Sequence, residues 1–151
     1  MKGSLLALLY VSALIGGVVA QGARASATPP QDVTITAFFF PAHTWTATGG
    51  ITDGGHWTSG CTHFDGSFFH SPVVGTFQDC VFLTGADGSV ITLQTENVLT
   101  LTDAGVCCDL KVNWRVSDGT GRYAGLRGEG RGSRTLPGPA TLDGQVHFDG
   151  P

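Results

Sequence analysis

The stretch from Asp109 to Gly132 constrains the fold more than any other part of the chain. Its first half alternates strictly between apolar and polar residues, which is the period of a β-strand with one buried face. The apolar members are Leu110, Val112, Trp114 and Val116. Its second half contains repeated glycines, which are typical of tight turns and of close approach between backbones. The stretch therefore predicts a strand, a turn and a returning strand.

The glycine motif of this stretch, GTGRYAG at 119–125, does not predict a nucleotide site. A dinucleotide fingerprint requires GxGxxG at the start of a helix, and a phosphate-binding loop requires GK[ST]. Here the third glycine comes one residue late, no helical period follows, and GK[ST] is absent. We interpret the motif as a structural turn, and no other motif in the chain indicates a cofactor.

Short strands separated by turn residues fill the rest of the chain after residue 27, and no window has a sustained helical period. Seven to nine short strands are typical of a β-sandwich or a β-barrel. Pairing of the last strand with the first would remove the sheet edges and favours the barrel. We therefore predict an all-β fold, a single closed antiparallel barrel of about eight strands. The predicted strands besides the one at Asp109 are Val33–Phe40, His43–Thr48, His56–Phe64, Ser67–Ser71, Val73–Leu83, Ser89–Thr102, Arg127–Thr135 and Ala140–Phe148.

The first 27 residues have the pattern of a secretory signal peptide. Met1-Lys2 is followed by the apolar run Leu5–Ala20 and by the small-residue cleavage site Ala25-Ser26-Ala27. The run has 16 residues, whereas a membrane span needs roughly 20. A second, weaker cleavage site lies at Ala20. We predict a signal peptide at 1–27, a barrel domain at 28–151, an extracellular location and no membrane association after cleavage.

The predicted mature domain is acidic, because it keeps six basic residues against all twelve acidic ones. Residues 28–110 contain neither Lys nor Arg. An acidic body argues against nucleic acid as a partner. We interpret the basic segment 111–134 as a solvated strand face and hairpin rather than an anion site. Its basic residues are Lys111, Arg115, Arg122, Arg127, Arg131 and Arg134.

Four cysteines in an exported chain predict disulfides. Three pairings of Cys61, Cys80, Cys107 and Cys108 exist. Because a bond between the adjacent Cys107 and Cys108 would be strained, the preferred pairing joins Cys61 and Cys80 each to one of those two. No CxxC spacing supports a zinc site.

The segment from Trp114 to Gly130, WRVSDGTGRYAGLRGEG, resembles a signature of small bacterial proteins in the allene oxide cyclase-like barrel group, which also includes plant dirigent proteins. The resemblance is specific over about 20 residues, and 74–77 and 88–89 match more loosely. It implies an eight-stranded antiparallel barrel with an apolar cavity. Characterised members bind a hydrophobic substrate there and direct a cyclisation or a radical coupling. No catalytic residue of those enzymes matches a position in this chain.

Few residues qualify as candidates for chemistry inside such a barrel. Glu96 lies in the middle of a predicted strand, and a carboxylate that faces an apolar interior has a raised pKa and can act as an acid or base. The alternative for Glu96 is a surface position. Aromatic side chains are abundant, and Trp57, Phe77 and Trp114 are the candidates for contact with a ligand.

A metal site has one candidate arrangement. His63 with Asp65 and His147 with Asp149 are pairs two residues apart, so each pair shares a strand face. If the two strands were adjacent, the four side chains would be able to hold a cation. Asp-Gly turns account for both aspartates without a metal, so we predict none.

Three functions remain open from the sequence. The leading prediction is a secreted barrel that binds a small apolar ligand or partner and carries out no defined reaction. The first alternative is a cavity enzyme, a cyclase or isomerase that acts on a hydrophobic substrate. The second is a structural or inhibitory extracellular barrel with a filled interior. The sequence leaves the oligomeric state open.

Overall fold

The computed structural model describes residues 27–64, 74–100 and 108–150. The strands in this part of the chain are β1 (Gln31–Phe38), β2 (Thr44–Gly49), β3 (Asp53–Ser59), β4 (His63–Phe64), β5 (Val74–Gly85), β6 (Val90–Thr100), β7 (Asp109–Gly119), β8 (Leu126–Thr135) and β9 (Ala140–Phe148). A 3-10 turn, Gly121–Tyr123, lies between β7 and β8. The predicted strand Ser67–Ser71 lies outside the described residues.

The strands form one closed antiparallel barrel, as predicted. Their order is β3-β2-β1-β9-β8-β7-β6-β5-β4, and a further pairing between β3 and β5 closes the sheet. Eight strands make the wall, and the two-residue β4 follows β3 along the same edge of β5. The pairing of β1 with β9 confirms the prediction that the last strand returns to the first.

The predicted strand His56–Phe64 differs from what forms. β3 starts earlier, at Asp53, within the glycine-rich segment that precedes the predicted strand. Gly55 permits this, because a side chain there would collide with the carbonyl oxygen of Thr84 on β5. The strand then breaks after Ser59, and pairing with β5 resumes at His63.

The preferred disulfide pairing is wrong. Cys61 and Cys80 are bonded to each other, with their Cα atoms 5.1 Å apart. The distance lies in the ordinary range for a disulfide, and it follows from the pairing of the β3–β4 edge with β5. Cys108 is buried and is also disulfide-bonded, and Cys107 lies outside the described residues.

The predicted signal peptide lies outside the described residues except for Ala27. In the ranges that the structure describes, no helix has the length and apolarity needed to cross a bilayer.

The side chains inside the barrel divide it into two halves. One half, here called the packed half, is filled by large side chains and is closed by the turn between β7 and β8. Its fully buried members include Trp45, Ile91, Leu93 and Leu126. The other half, here called the cavity half, lies where β1, β3, β6 and β8 end and where β5, β7 and β9 begin.

Candidate functional site

An interior cavity of about 220 Å³ occupies the cavity half. Inward-facing side chains of β1, β3, β5, β6, β7 and β9 form its walls, and most of them are apolar. They include Ile35, Trp57, Leu83, Leu110, Val112 and Leu142. A closed barrel of about eight strands has an interior that is either filled by side chains or holds one small ligand. Side chains do not fill the cavity half, so it has space for a small molecule.

Two alanines account for part of the open volume. Ala37 and Ala140 face each other across the β1–β9 pair, both are buried, and both line the cavity. The next inward pair on the same strands is Ile35 opposite Leu142. Protein interiors are normally filled to crystal-like density, so two small side chains at one level leave space that larger ones would occupy.

The wall of the cavity on β6 carries polar groups. Thr95 and Asn97 are each 5% exposed, and the Asn97 Nδ2 group donates to Thr95 Oγ1 at 2.8 Å. Neither residue was a predicted candidate. The available signal was the inward face of β6, which changes from Ile91 and Leu93 in the packed half to Thr95 and Asn97 in the cavity half.

Asp79 is the one titratable side chain among the described residues that line the cavity. Its carboxylate accepts hydrogen bonds from Ser59 Oγ at 2.5 Å and from Thr62 Oγ1 at 3.0 Å. The neighbouring residue, Cys80, is bonded to Cys61. These contacts join the β3–β4 connection to β5 and hold this side of the cavity wall in place.

Trp57 is held in a defined orientation at the cavity. Its Nε1 group donates to the carbonyl oxygen of Phe38 at 2.9 Å, and its ring meets the ring of Phe39 in an edge-on arrangement at 4.6 Å. Phe39 lines the cavity, whereas Phe38 and Phe40 are 40% and 81% exposed. One of three consecutive phenylalanines, the one just after the end of β1, is therefore directed inward.

Arg134 corrects the interpretation of the basic segment as a solvated face. It is 8% exposed, and its guanidinium carbon lies 3.3 Å from the ring centroid of Phe39. Its Nε group donates to the carbonyl oxygen of Gly138 at 2.9 Å. Burial lowers the pKa of this guanidinium, which nonetheless stays charged at ordinary pH. The other basic residues of the segment are exposed, as predicted.

The glycine motif closes the packed half, which supports its interpretation as a structural turn. Gly121 has a φ of 58°, and a side chain there would collide with the Ser89 hydroxyl. The turn directs the side chains of Arg122 and Tyr123 onto Asp53, and both donate hydrogen bonds to its carboxylate. No pattern in the sequence connected Asp53 with this turn.

The shifted pKa values in this cluster favour an ionised Asp53 and a neutral Tyr123. Burial alone would raise the pKa of Asp53, but hydrogen bonds from Tyr123 and Arg122 bring it below its ordinary value. Burial and the hydrogen bond to Asp53 raise the pKa of Tyr123. The cluster is thus an ionised carboxylate held by a neutral phenol and a guanidinium.

Two of the three predicted ligand-contacting aromatics line the cavity, namely Trp57 and Phe77. Trp114 is buried within the barrel wall instead. Its ring lies against Gly130 and Gly144, where any side chain would collide with it. The inward-facing glycines of β8 and β9 therefore make room for this indole, and Trp114 is not among the residues that line the cavity.

Glu96 lies on the outer face of β6, exposed, between Gln78 and Asn113. It borders a larger depression of about 460 Å³ on the outer surface. Polar and charged side chains line this depression, and Arg115 there is already bound to Gln94 at 2.6 and 2.9 Å. Its lining is more polar than apolar, whereas the lining of the smaller interior cavity is mainly apolar, so we take the interior cavity as the candidate site.

The structure does not bring the predicted metal ligands together. His63 lies on β4 beside β5, whereas His147 lies on β9 between β1 and β8. His147 Nε2 is 3.7 Å from Asp149, and Asp65 lies outside the described residues. No group of three or more His, Cys, Asp or Glu side chains that could hold a metal occurs in the described ranges.

Comparison with known proteins returned no matching family model, no matching curated protein and no matching solved structure. The resemblance of Trp114–Gly130 to the allene oxide cyclase-like group therefore stays a prediction.

Proposed function

We propose that this protein is a secreted barrel that binds one small apolar ligand inside its cavity half. The observation that carries the proposal is the apolar cavity of about 220 Å³ beside a packed half made from the same strands. Ligand pockets are typically apolar cavities with a few placed polar groups. Thr95, Asn97 and Asp79 supply such groups here.

Calorimetric titration with octan-1-ol, a neutral ligand small enough for the cavity, tests this proposal. Filling the cavity with the substitution Ala140→Phe should abolish binding and leave the protein folded, because the new ring enters existing space rather than an occupied core. The matched control is Thr141→Phe, on the outward face of the same strand. Binding of octan-1-ol that is equal in both variants would contradict the proposal, as would failure of the unmodified protein to bind both octan-1-ol and its carboxylate analogue octanoate.

Secretion is part of the proposal. Thr28, the first residue after the proposed cleavage site, already pairs with the last strand: its N–H donates to Phe148 O at 3.0 Å, and its hydroxyl accepts from Phe148 N at 2.7 Å. The Cys61–Cys80 bond is compatible with an oxidising compartment. N-terminal sequencing of exported protein should begin at Thr28, and a retained apolar run would contradict this part.

A cavity isomerase is the second candidate function, and Asp79 is the observation that favours it. Asp79, rather than Glu96, is the carboxylate in the cavity wall. A base there should accelerate exchange of the α-protons of 2-octanone with D₂O, measured by proton NMR. Equal exchange rates in the unmodified protein and in Asp79→Asn would remove this candidate.

A further inference from the structure

The position of Arg134 bears on what kind of apolar ligand the cavity takes. Arg134 faces inward on β8, pairs in register with the cavity-lining Leu110, and stacks on the cavity-lining Phe39. It therefore lies at the edge of the cavity. The other inward-facing side chains of the cavity half provide no second cation among the described residues.

The guanidinium of Arg134 has unused hydrogen-bonding capacity. A guanidinium carries five N–H donors, and Arg134 uses its Nε group on the Gly138 carbonyl. Within the described part of the chain, no carboxylate lies within ion-pair distance of it. A buried charge ordinarily has a charged partner, because removing it from water is costly. Its terminal nitrogens match the bidentate geometry of a carboxylate.

Asp79 lies on a different part of the cavity wall from Arg134. It is on β5, separated from Arg134 on β8 by β6 and β7. Its negative charge disfavours an anionic group at that wall, and its oxygens already accept two hydrogen bonds. An anionic ligand group would thus be directed to the edge beside Arg134, with the apolar part of the ligand in the cavity.

The volume limits the size of the ligand. At about 220 Å³, the cavity is smaller than the roughly 300–1,000 Å³ of pockets for drug-sized molecules. From these observations we propose that the ligand is a compact apolar monocarboxylate whose carboxylate binds Arg134 and whose aliphatic or aromatic body fills the cavity. This inference rests on the proposed function.

Calorimetric titration of the full mature chain with octanoate and with octan-1-ol separates the two proposals. The two ligands share a hydrocarbon body and differ in charge. Octanoate should bind at least about tenfold more tightly, the size expected for hydrogen bonds between charged groups. Equal affinities would overturn the carboxylate inference and leave the proposed function intact. Absence of binding by both ligands would overturn both.

Substitutions at Arg134 test whether this residue causes the preference for octanoate over octan-1-ol. Arg134→Gln should abolish the preference, so that this variant binds octanoate no more tightly than octan-1-ol. Arg134→Lys, which keeps the charge but not the planar fork, should retain part of the preference and serves if the glutamine variant fails to fold. The control is Arg131→Gln, at an exposed position of the same strand, which should leave both affinities unchanged. A preference that survives in Arg134→Gln, or is lost equally in Arg131→Gln, would contradict the assignment.

Discussion

The packed half and the cavity half of the barrel are built from the same strands, yet they differ in what fills them. In the packed half, Trp45 and Leu93 are almost completely inaccessible and the Asp53 cluster closes the end. In the cavity half, Ala37 and Ala140 face each other and space remains. The comparison shows that one sheet can be tightly filled at one end and open at the other.

The largest expected effect is the loss of a leucine from the packed half. Leu93→Ala should lower the free energy of unfolding by about 4 kcal/mol, because it opens a new void among close neighbours. Leu142→Ala, at the wall of the existing cavity, should cost only about 2 kcal/mol, since that side chain has fewer contacts to lose. Urea unfolding measures both, and equal losses would show that the two halves are packed alike.

The Cys61–Cys80 bond should contribute mainly to the cavity half. The two residues are 19 apart in the chain, and closing a loop of this size stabilises by about 3 kcal/mol. The double variant Cys61→Ala with Cys80→Ala should therefore unfold at lower urea concentration and also bind octan-1-ol more weakly, because the β3–β4 connection beside Asp79 is released. Ser59→Ala is the control that removes one Asp79 hydrogen bond and keeps the disulfide. Unchanged binding in the double variant would separate the disulfide from the site.

The Asp53 cluster should make the packed half sensitive to acid. Asp53 has a lowered pKa in the folded protein, so its stabilisation is present above its unfolded value near 3.8 and is lost as the pH falls through the folded value. Asp53→Asn should cost about 2 kcal/mol at pH 7, since it weakens hydrogen bonds to a charged group. The difference between variant and parent should shrink below pH 4 in urea unfolding.

Tyr123 should add sensitivity to base at the same end. Its pKa is raised in the folded protein, so its stabilisation is complete below its ordinary value of 10.0 and declines as the pH rises above it. Tyr123→Phe should remove this decline. A parent protein whose stability stays constant from pH 9 to 11 would contradict the role of the phenol.

The smallest expected effect is a difference in stability among three tryptophan substitutions. Trp45 and Trp57 donate through Nε1 to Thr84 O and Phe38 O, whereas the Nε1 of Trp114 has no hydrogen-bond partner among the described residues. Replacement of each by Phe loses similar volume, but only the first two leave a carbonyl without its donor. Trp114→Phe should therefore be less destabilising by about 1 kcal/mol, measured by thermal unfolding. Equal losses would mean that the hydrogen bonds add nothing beyond packing.

Much of the fold could be predicted because strand alternation is a local property. The alternation around Trp114, the glycine turn and the return of the last strand to the first all describe the barrel correctly. The disulfide could not be predicted, because it depends on the register between the β3–β4 edge and β5. The outward position of Glu96, by contrast, follows from alternation with the buried Ile91 and Leu93 on the same strand.

The candidate site was predicted only in part. Trp57 and Phe77 were expected from the abundance of aromatics, whereas Asp79, Asn97 and Arg134 were not. The inward position of Arg134 follows from alternation with Leu126 along β8, but the charge pattern alone favoured a solvated face. The charge of a residue does not show whether its side chain is buried. Here the guanidinium of Arg134 stacks on Phe39, and this cation–π contact offsets part of the cost of removing the guanidinium from water.

The sequence by itself determined that this chain is built from short strands, where most of them run and where its glycine turn lies, because each depends on residues close together in the chain. Only the tertiary structure decided that one half is filled and the other open. Ala37 and Ala140 come from the two ends of the barrel domain and meet through the β1–β9 register. A cavity is the difference between the space a closed sheet encloses and the side chains that enter it, and that difference exists only after the strands have paired.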